Sequence, residues 1–350
     1  MEAQKHAIGN GRSWSGKPSL QALTVLAAMG LASNAHAAVR YSITDLGTLD
    51  VVTGINNVGQ VVGYSYTPSG SARAFVMVDG VMTDLGTLGW DNSYAFGIND
   101  AGQVVGRSST ASGEDHAFVM VDGVMTDLGT LGGRDSRANA INDAGQVVGW
   151  SSTASGGIRP FVAENGVMTD LGTLGGRTGG AAAINEAGQV VGASYTAGSV
   201  FEHAFVTVDG VMTDLGTLGG SDSWALGINN AGQVVGESYT TRSGDYHAFV
   251  TVNGVMTDLG TLGGDDSRAL DINDAGQVVG DSRTASGKWH AFVTIDGVMT
   301  DLNALLDPAD AAVWTLTSAI AINDAGQIAA QAEINGQHRA VLLTRVPRRF

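Results

Sequence analysis

Short apolar runs separated by polar and glycine-containing turns recur along most of this sequence, a pattern typical of β-strands. Between residues 116 and 128, two such runs flank the dipeptide Asp122-Gly123. Asp-Gly between such runs predicts a two-residue hairpin turn, because both turn residues must adopt positive φ. A second pair of short strands flanks an Asn-Asp-Ala-Gly turn at residues 142–145. The unit is therefore predicted to contain four strands and no helix.

The same unit recurs along the chain. The tripeptide Thr-Asp-Leu occurs seven times, and an Ile-Asn dipeptide before a glycine-containing turn and Gln marks seven units, mostly 43 or 44 residues apart. A period of about 40–45 residues is that of a four-stranded propeller blade. The asparagines of the second marker are Asn56, Asn99, Asn142, Asn185, Asn229, Asn273 and Asn323.

The two ends of the repeated region are out of phase in a complementary way. Residues 40–46 match a fourth strand, whereas residues 339–343 match a third strand with no fourth after it. Both faces of each unit are largely apolar, so each sheet should be covered on both sides. We therefore predict an all-β fold, a seven-bladed β-propeller of four-stranded antiparallel blades whose last blade is closed by the N-terminal strand. An open β-solenoid of the same repeats is the alternative.

The first 37 residues predict a cleaved secretory signal. Lys5, Arg12 and Lys17 precede an apolar run from 20 to 32, and Ala35-His36-Ala37 follows as a small-residue cleavage site. The alternative is a membrane anchor, but the run is shorter than the roughly 20 residues that a span needs. We expect a signal peptide at 1–37, a propeller domain at 38–345 and a basic tail at 346–350. The protein would then be exported, to the periplasm or the extracellular space.

The charge balance limits the partners that are expected. The sequence has 34 acidic against 18 basic side chains, a net charge of −16, and no cysteine. Such a surface repels nucleic acid and anionic lipid. Without disulfides or thiolate metal sites, an exported chain must be held together by packing.

Three blocks that recur in fixed order carry a resemblance to a known family. The tripeptide His-Ala-Phe begins at His116, His203, His247 and His290 and is followed by TDLGTLGG-like and INDAGQVVG-like blocks. This resembles the extracellular repeat family called HAF after that tripeptide, over essentially all of residues 39–343. Arg73, Arg159 and Arg339 depart from the histidine. The resemblance implies export and repetition, and brings no activity with it.

The residue before Ala-Phe is the main candidate for repeated chemistry, because an aspartate follows it 11 positions later in six units. The pairs could be His–Asp general-base or metal sites, or a polar clamp between two strands. Arg replaces His in three units, and Arg can be neither a base nor a metal ligand, which favours the clamp. The predicted clamp pairs are Arg73–Asp84, His116–Asp127, Arg159–Asp170, His203–Asp214, His247–Asp258, His290–Asp301 and, across the ring closure, Arg339–Asp45.

Metal and phosphate chemistry have weaker support. Calcium is possible at the loop carboxylates, although the alternating spacing of a dedicated calcium loop is missing. These carboxylates are Asp91, Asp135, Asp222, Asp265 and Asp266. The Gly-Thr-Leu-Gly-Gly segment lacks the Lys-Ser/Thr pair and the helix of a phosphate loop. No cofactor is predicted.

The loops that vary between units share one face of the predicted disc, and specificity usually lies in such loops. We take Trp90, Tyr94, Trp150, Trp224 and Trp289 as candidate binding residues there, for a glycan or a protein. The long connection 303–318 is expected to form a lid over this face. Asp271, where other units have Gly or Ala, is interpreted as tolerated drift.

The function predicted from these patterns is a secreted, non-catalytic binding or surface-interaction module. The alternative is a structural or matrix protein without a defined ligand. The third hypothesis is an enzyme, which would need a singular polar cluster at the mouth of the channel. Because no Ser–His–acid set stands out in the sequence, the chain is predicted not to be an enzyme.

Overall fold

A computed structural model describes residues 39–47, 51–208, 210–241 and 244–346. The predicted signal peptide and the last four residues of the predicted basic tail lie outside this range, and both segments stay predictions. The described strands, in chain order, are β1 (Tyr41–Gly47), β2 (Val51–Ile55), β3 (Val61–Tyr66), β4 (Ala72–Val78), β5 (Val81–Asp84), β6 (Gly89–Ile98), β7 (Val104–Thr110), β8 (Asp115–Val121), β9 (Val124–Asp127), β10 (Gly132–Ile141), β11 (Val147–Thr153), β12 (Ile158–Glu164), β13 (Val167–Asp170), β14 (Gly175–Ile184), β15 (Val190–Thr196), β16 (Glu202–Val208), β17 (Val211–Asp214), β18 (Gly219–Ile228), β19 (Val234–Thr240), β20 (Tyr246–Val252), β21 (Val255–Asp258), β22 (Gly263–Ile272), β23 (Val278–Thr284), β24 (Trp289–Ile295), β25 (Val298–Asp301), β26 (Trp314–Ile322), β27 (Ile328–Ile334) and β28 (Gln337–Arg345). A 3₁₀ turn (Leu302–Leu305) and helix α1 (Pro308–Ala311) complete the described elements, and no described helix has the length and apolarity needed to cross a membrane.

The strands form seven antiparallel blades of four, which confirms the predicted propeller. Blades 1 to 6 take consecutive strands, from β2–β5 to β22–β25, and blade 7 has the order β1-β28-β27-β26. The N-terminal strand β1 is therefore the outer strand of the last blade, with Ile43 opposite Leu343. Blades 3 and 4 are also linked by one parallel pairing, between Ile158 and Thr178.

The Ile-Asn asparagines form a closed ring at the inner ends of the blades. Each side-chain amide donates to the backbone carbonyl of the equivalent asparagine in the next blade, at 3.0–3.2 Å. Seven such bonds complete the circle, since Asn323 donates to Asn56. Each asparagine also accepts from the backbone N–H of a glutamine four residues later, as Asn142 does from Gln146 at 2.9 Å. We call this the asparagine ring.

A second closed ring runs through the residues that follow the asparagines. The backbone N–H of each donates to the side chain of its equivalent in the next blade, for example from Asp100 to Asp143 at 2.8 Å. The circle closes where Asp324 donates to Asn57, also at 2.8 Å. Each blade is therefore tied to both of its neighbours by directional bonds that only a full circle can satisfy.

Two local features explain the strict sequence of the hairpins. Asp122 and Gly123 have φ of 49° and 78°, which is the positive-φ turn that Asp-Gly favours. Gly106 in β7 lies so close to β6 that an added Cβ would be 1.9 Å from the carbonyl oxygen of Tyr94. The glycine of Val-Val-Gly is therefore required for packing between the strands.

The connection from β25 to β26 is not the lid that the sequence suggested. Its leucines Leu302, Leu305 and Leu306 are buried among residues of blades 6 and 7, next to the fully buried Tyr41. The guanidinium of Arg40 donates to the carbonyl of Leu306 at 2.9 Å. Residues 302–306 form an apolar plug that fastens β1 to blades 6 and 7, because burial removes the leucine side chains from water. Residues 308, 309 and 311–313 of the same connection are exposed.

Substitution of Asn142 by alanine tests the asparagine ring. The variant leaves the N–H of Gln146 and the carbonyl of Asn185 without their buried partners. We expect the free energy of unfolding to fall by about 2–4 kcal/mol, measured by urea denaturation. Asp122→Asn is the matched control, since Asn occupies the same turn at Asn165, and it should change stability by less than about 0.5 kcal/mol. Equal stability of the two variants would contradict the importance of the ring.

Candidate functional site

The predicted clamp residues lie on the outer hairpin of each blade. In four blades the Nδ1 atom of the histidine lies 2.7–2.9 Å from the nearer carboxylate oxygen of its aspartate. Arg339 and Asp45 are 3.4 Å apart across the closed ring, and Arg159 and Asp170 are 3.8 Å apart. In the described part of the chain, Arg73 and Asp84 form no ion pair.

The clamp aspartates also organise the loop that follows them. Asp127 accepts a hydrogen bond from the backbone N–H of Gly129 at 2.7 Å, while its carboxylate contacts His116. The equivalent bond to the residue two positions later is present for Asp84, Asp214 and Asp258. A carboxylate that contacts both the histidine and the glycine N–H stabilises the start of the turn into the next blade. This structural role is repeated around the disc.

The loop carboxylates that could have suggested calcium are scattered. Asp135, Asp222 and Asp266 accept hydrogen bonds from backbone N–H groups at the start of the third strand of the preceding blade, and Asp91 and Asp265 are exposed. The described residues contain no group of three or more His, Cys, Asp or Glu with the geometry of a metal site. Asp135, Asp222 and Asp266 therefore cap strands.

The candidate aromatic residues do not form one exposed patch. Trp90 is 53% exposed at the start of β6. Tyr94, Trp150, Trp224 and Trp289 are half-buried. The Trp224 indole donates to the Glu202 carboxylate at 2.8 Å, which holds the ring in place.

The axis of the disc contains a chamber of about 270 Å³. It is lined mainly by apolar side chains of the inner strands, and Asp271 is the single ionisable residue among its described lining. Asp271 accepts from the N–H of Ile272 at 2.8 Å and from the N–H of Ile322 in blade 7 at 2.9 Å. Burial raises the pKa of Asp271 to about 6. The hydrogen bond to Ile322 connects blade 6 to blade 7, so Asp271 has a structural role that the interpretation as tolerated drift did not include.

A belt of side chains surrounds the axis at the level of the cross-strand pairs between the first two strands of each blade. We define it as Val51–Tyr64, Tyr94–Arg107, Arg137–Trp150, Gly180–Ala193, Trp224–Glu237, Arg268–Asp281 and Ser318–Gln331. Neighbouring pairs contact one another across the blade boundary, as the rings of Tyr64 and Tyr94 do at 4.9 Å. The belt differs in every blade, unlike the two rings below it.

Blades 5 to 7 contribute an acidic cluster to this belt, consisting of Glu237, Arg268, Asp281 and Ser318. Arg268 donates two hydrogen bonds to Asp281, at 2.9 and 2.8 Å, and Asp281 is only 2% exposed. The hydroxyl of Ser318 donates to the same carboxylate at 2.8 Å. Asp281 is therefore fully partnered, and its hydrogen bonds raise the pKa of Arg268.

Glu237 has no such partners. No described residue donates a hydrogen bond to its carboxyl group. Both oxygens of that group are accessible to solvent. Burial raises the pKa of Glu237 to about 7, with Arg268 acting in the opposite direction and Asp281 adding to the rise. A carboxyl group that titrates near neutrality can both accept and return a proton.

Blades 1 to 3 contribute a basic and aromatic cluster, consisting of Tyr64, Tyr94, Phe96, Arg107 and Arg137. The guanidinium carbon of Arg137 lies 3.6 Å from the centroid of Phe96, and that of Arg107 lies 4.5 Å from the centroid of Tyr94. Sequence reasoning missed both clusters because their members come from different repeats. Comparing the repeats column by column would have shown that the belt columns carry the variable charges.

The comparisons with known proteins support the fold. Neither a protein-family model nor a curated protein sequence matches the chain. Among solved structures, it is similar to a puromycin hydrolase, with a TM-score of 0.57 and 14% identity over 85% of this chain and 52% of that one. It is also similar to a puromycin-hydrolysing peptidase of Mycobacterium tuberculosis, with a TM-score of 0.55 and 12% identity over 87% of this chain and 51% of that one. The chain thus spans about half the length of these two enzymes.

A third similar structure is a propeller by itself. The β-propeller domain of the Trilobed protease from Pyrococcus furiosus matches with a TM-score of 0.55 and 7% identity, over 87% of this chain and 93% of that one. At such identities the likeness establishes the fold alone. The chain is a seven-bladed β-propeller.

These matches correct the function predicted from the repeats. The solved propellers that resemble the chain belong to hydrolytic enzymes, which contradicts the prediction of a non-catalytic binding or matrix module. The prediction that the chain is not an enzyme is not confirmed either. Seven similar repeats do leave singular polar positions, and these lie in the belt.

Replacing Glu237 by glutamine tests its environment. The folded state holds the Glu237 proton more tightly than the unfolded state, so stability is lost as pH rises from about 4.5 through about 7. Glu237→Gln removes that loss. By urea denaturation the variant should be up to about 3 kcal/mol more stable than the wild type near pH 8.5, and about equal to it near pH 4. Glu164→Gln, at an exposed position, should show no such pH dependence; a constant difference for Glu237→Gln would contradict the shifted pKa.

Exchanges at His116 test the clamp. Because Arg occupies the same position at Arg159 and Arg339, His116→Arg should retain the wild-type free energy of unfolding. His116→Ala should lose about 0.5–1 kcal/mol, the usual range for a partly exposed polar pair. His338→Ala, which removes an exposed histidine outside the clamp position, is the control. A loss for His116→Arg as large as that for His116→Ala would favour a role specific to imidazole.

Proposed function

We propose that this propeller takes part directly in the hydrolysis of a small amide or peptide-like substrate, with Glu237 as the acid–base group. The observation that carries the proposal is the state of Glu237: a half-buried carboxyl group with a pKa raised to about 7, open to solvent and without a hydrogen-bond donor among the described residues. Acid–base catalysis is most effective when the pKa of the group lies near the working pH.

The neighbours of Glu237 suit the charges that such a reaction develops. Arg268 is fixed by its two bonds to Asp281, so its guanidinium is oriented before a substrate arrives. The ionised Glu237 would take a proton from a water molecule that attacks the carbonyl carbon. Arg268 would stabilise the negative charge on the carbonyl oxygen. Glu237 would then give the proton to the leaving amine as the carbon–nitrogen bond breaks.

The class of substrate comes from the similar structures. Two of them are named for the hydrolysis of puromycin, an activity of those proteins, and a third is a domain of a protease. The aromatic rings of Trp224 and Trp289 flank the acidic cluster and would contact an apolar substituent. We further propose that the protein is exported, on the strength of the leader at residues 1–37, and that it belongs with the HAF-repeat proteins that its blocks resemble.

The test is hydrolysis of puromycin and of a panel of aminoacyl p-nitroanilides by the full chain. The wild type should release amine, with kcat/KM rising with pH through about 7 as Glu237 ionises. Glu237→Gln should lower kcat/KM by about 100-fold or more. Glu164→Gln is the matched control and should keep the wild-type value. Absence of hydrolysis by the wild type, or equal rates for Glu237→Gln and wild type, would refute the proposal.

A further inference from the structure

Two arginines meet at the boundary between blades 2 and 3, and only one of them has a carboxylate partner among the described residues. Arg107 contacts Asp115 at 3.2 Å. Arg137 forms no ion pair and no hydrogen bond within the described part of the chain. In a protein with a net charge of −16, a half-buried arginine without an acidic partner is unusual. Carboxylates are abundant in this chain, yet Arg137 contacts none among the described residues.

The environment of Arg137 makes its lack of a hydrogen-bonding or ionic partner costly, since its described contact is with the ring of Phe96. Its Nε atom is buried and unsatisfied, as is the Nε atom of Arg107. Burial first, and then the nearby charge of Arg107, lower the pKa of Arg137 to about 10. Buried polar groups in native proteins normally have a partner, and an exception calls for an explanation such as a missing ion or ligand. The fold does not require an arginine at this position. The equivalent belt residues in three other blades are Val51, Gly180 and Ser318.

The other polar groups of this cluster are also free to donate. The hydroxyl groups of Tyr64 and Tyr94 form no hydrogen bond with another described residue. Their rings contact each other at 4.9 Å, and that of Tyr94 lies parallel to Phe96. Trp150, the cross-strand neighbour of Arg137, adds a further apolar wall. The cluster therefore presents cationic and hydroxyl donors, framed by aromatic rings, with Asp115 as its one acidic contact.

We propose that Arg137, with Arg107, Tyr64 and Tyr94, forms a binding site for a carboxylate attached to an aromatic group. A guanidinium pairs with a carboxylate through two parallel N–H···O bonds, which is the geometry that a planar fork favours. The ligand's negative charge would relieve the repulsion between the two arginines. Its ring would pack on the side chains of Tyr94 and Phe96. This site is separate from Glu237 and does not depend on hydrolysis.

Calorimetric titration of the full chain with benzoate, at low ionic strength, tests the site. Benzoate should bind, and benzyl alcohol of the same shape but without charge should bind about tenfold more weakly or not at all. Arg137→Gln should weaken benzoate binding by about tenfold or more. Tyr94→Phe, which removes only a hydroxyl, should weaken it roughly threefold, and it provides a second variant should Arg137→Gln not fold.

Arg134→Gln is the matched control, because it removes the same charge from the same strand at an exposed position paired with Glu114. It should leave benzoate affinity within about twofold of the wild type, as expected for a screened surface charge. The thermal midpoint of ligand-free Arg137→Gln should not fall, since the repulsion from Arg107 is removed. Absence of benzoate binding, unchanged affinity in Arg137→Gln, or tighter binding of inorganic phosphate than of benzoate would overturn the assignment.

Discussion

The structure depends on the asparagine ring. Each buried asparagine satisfies a carbonyl in the next blade and an N–H in its own turn, so no blade can complete its hydrogen bonds alone. The geometry of these bonds sets the distance and angle between adjacent inner strands. Seven equal steps close the circle at Asn323 and Asn56. This constraint explains why Ile-Asn recurs without exception while the loops at the other ends of the blades do not.

Much of the fold could be predicted from the sequence, because the ring constraint forces repetition and repetition is visible in one sequence. The period, the Asp-Gly turns and the closure of blade 7 by β1 all follow from residues that must be nearly the same in each unit. The connection that contains Leu302 and Leu306 differs from the predicted lid. It has no counterpart of the same length in the other repeats, and the sequence of its leucines does not indicate which surface they cover.

The candidate site could not be predicted in the same way. Glu237 and Arg268 are 31 residues apart and belong to different repeats, yet the register puts them in neighbouring pairs of one belt. Deducing that contact requires the register of two blades and their relative rotation, which a single sequence does not provide. The clamp could be predicted from the sequence because its two residues lie in one hairpin. The repeated histidines therefore indicate a structural feature, and they do not point to the site around Glu237.

The rings and the belt also show how a repeat protein obtains a singular site without losing its fold. The rings, the clamps and the Val-Val-Gly glycines bear most of the directional and steric constraints, and they leave the belt side chains free to differ. Divergence there has separated the charges, with Arg107 and Arg137 on blades 2 and 3 and Glu237 and Asp281 on blades 5 and 6. Blade 4 lies between them and contributes only Gly180 and Ala193 to the belt. These small residues separate Arg137, which has no acidic partner among the described residues, from Glu237, which accepts no hydrogen bond from a described residue. Each of these two side chains therefore retains polar groups that the fold itself does not use.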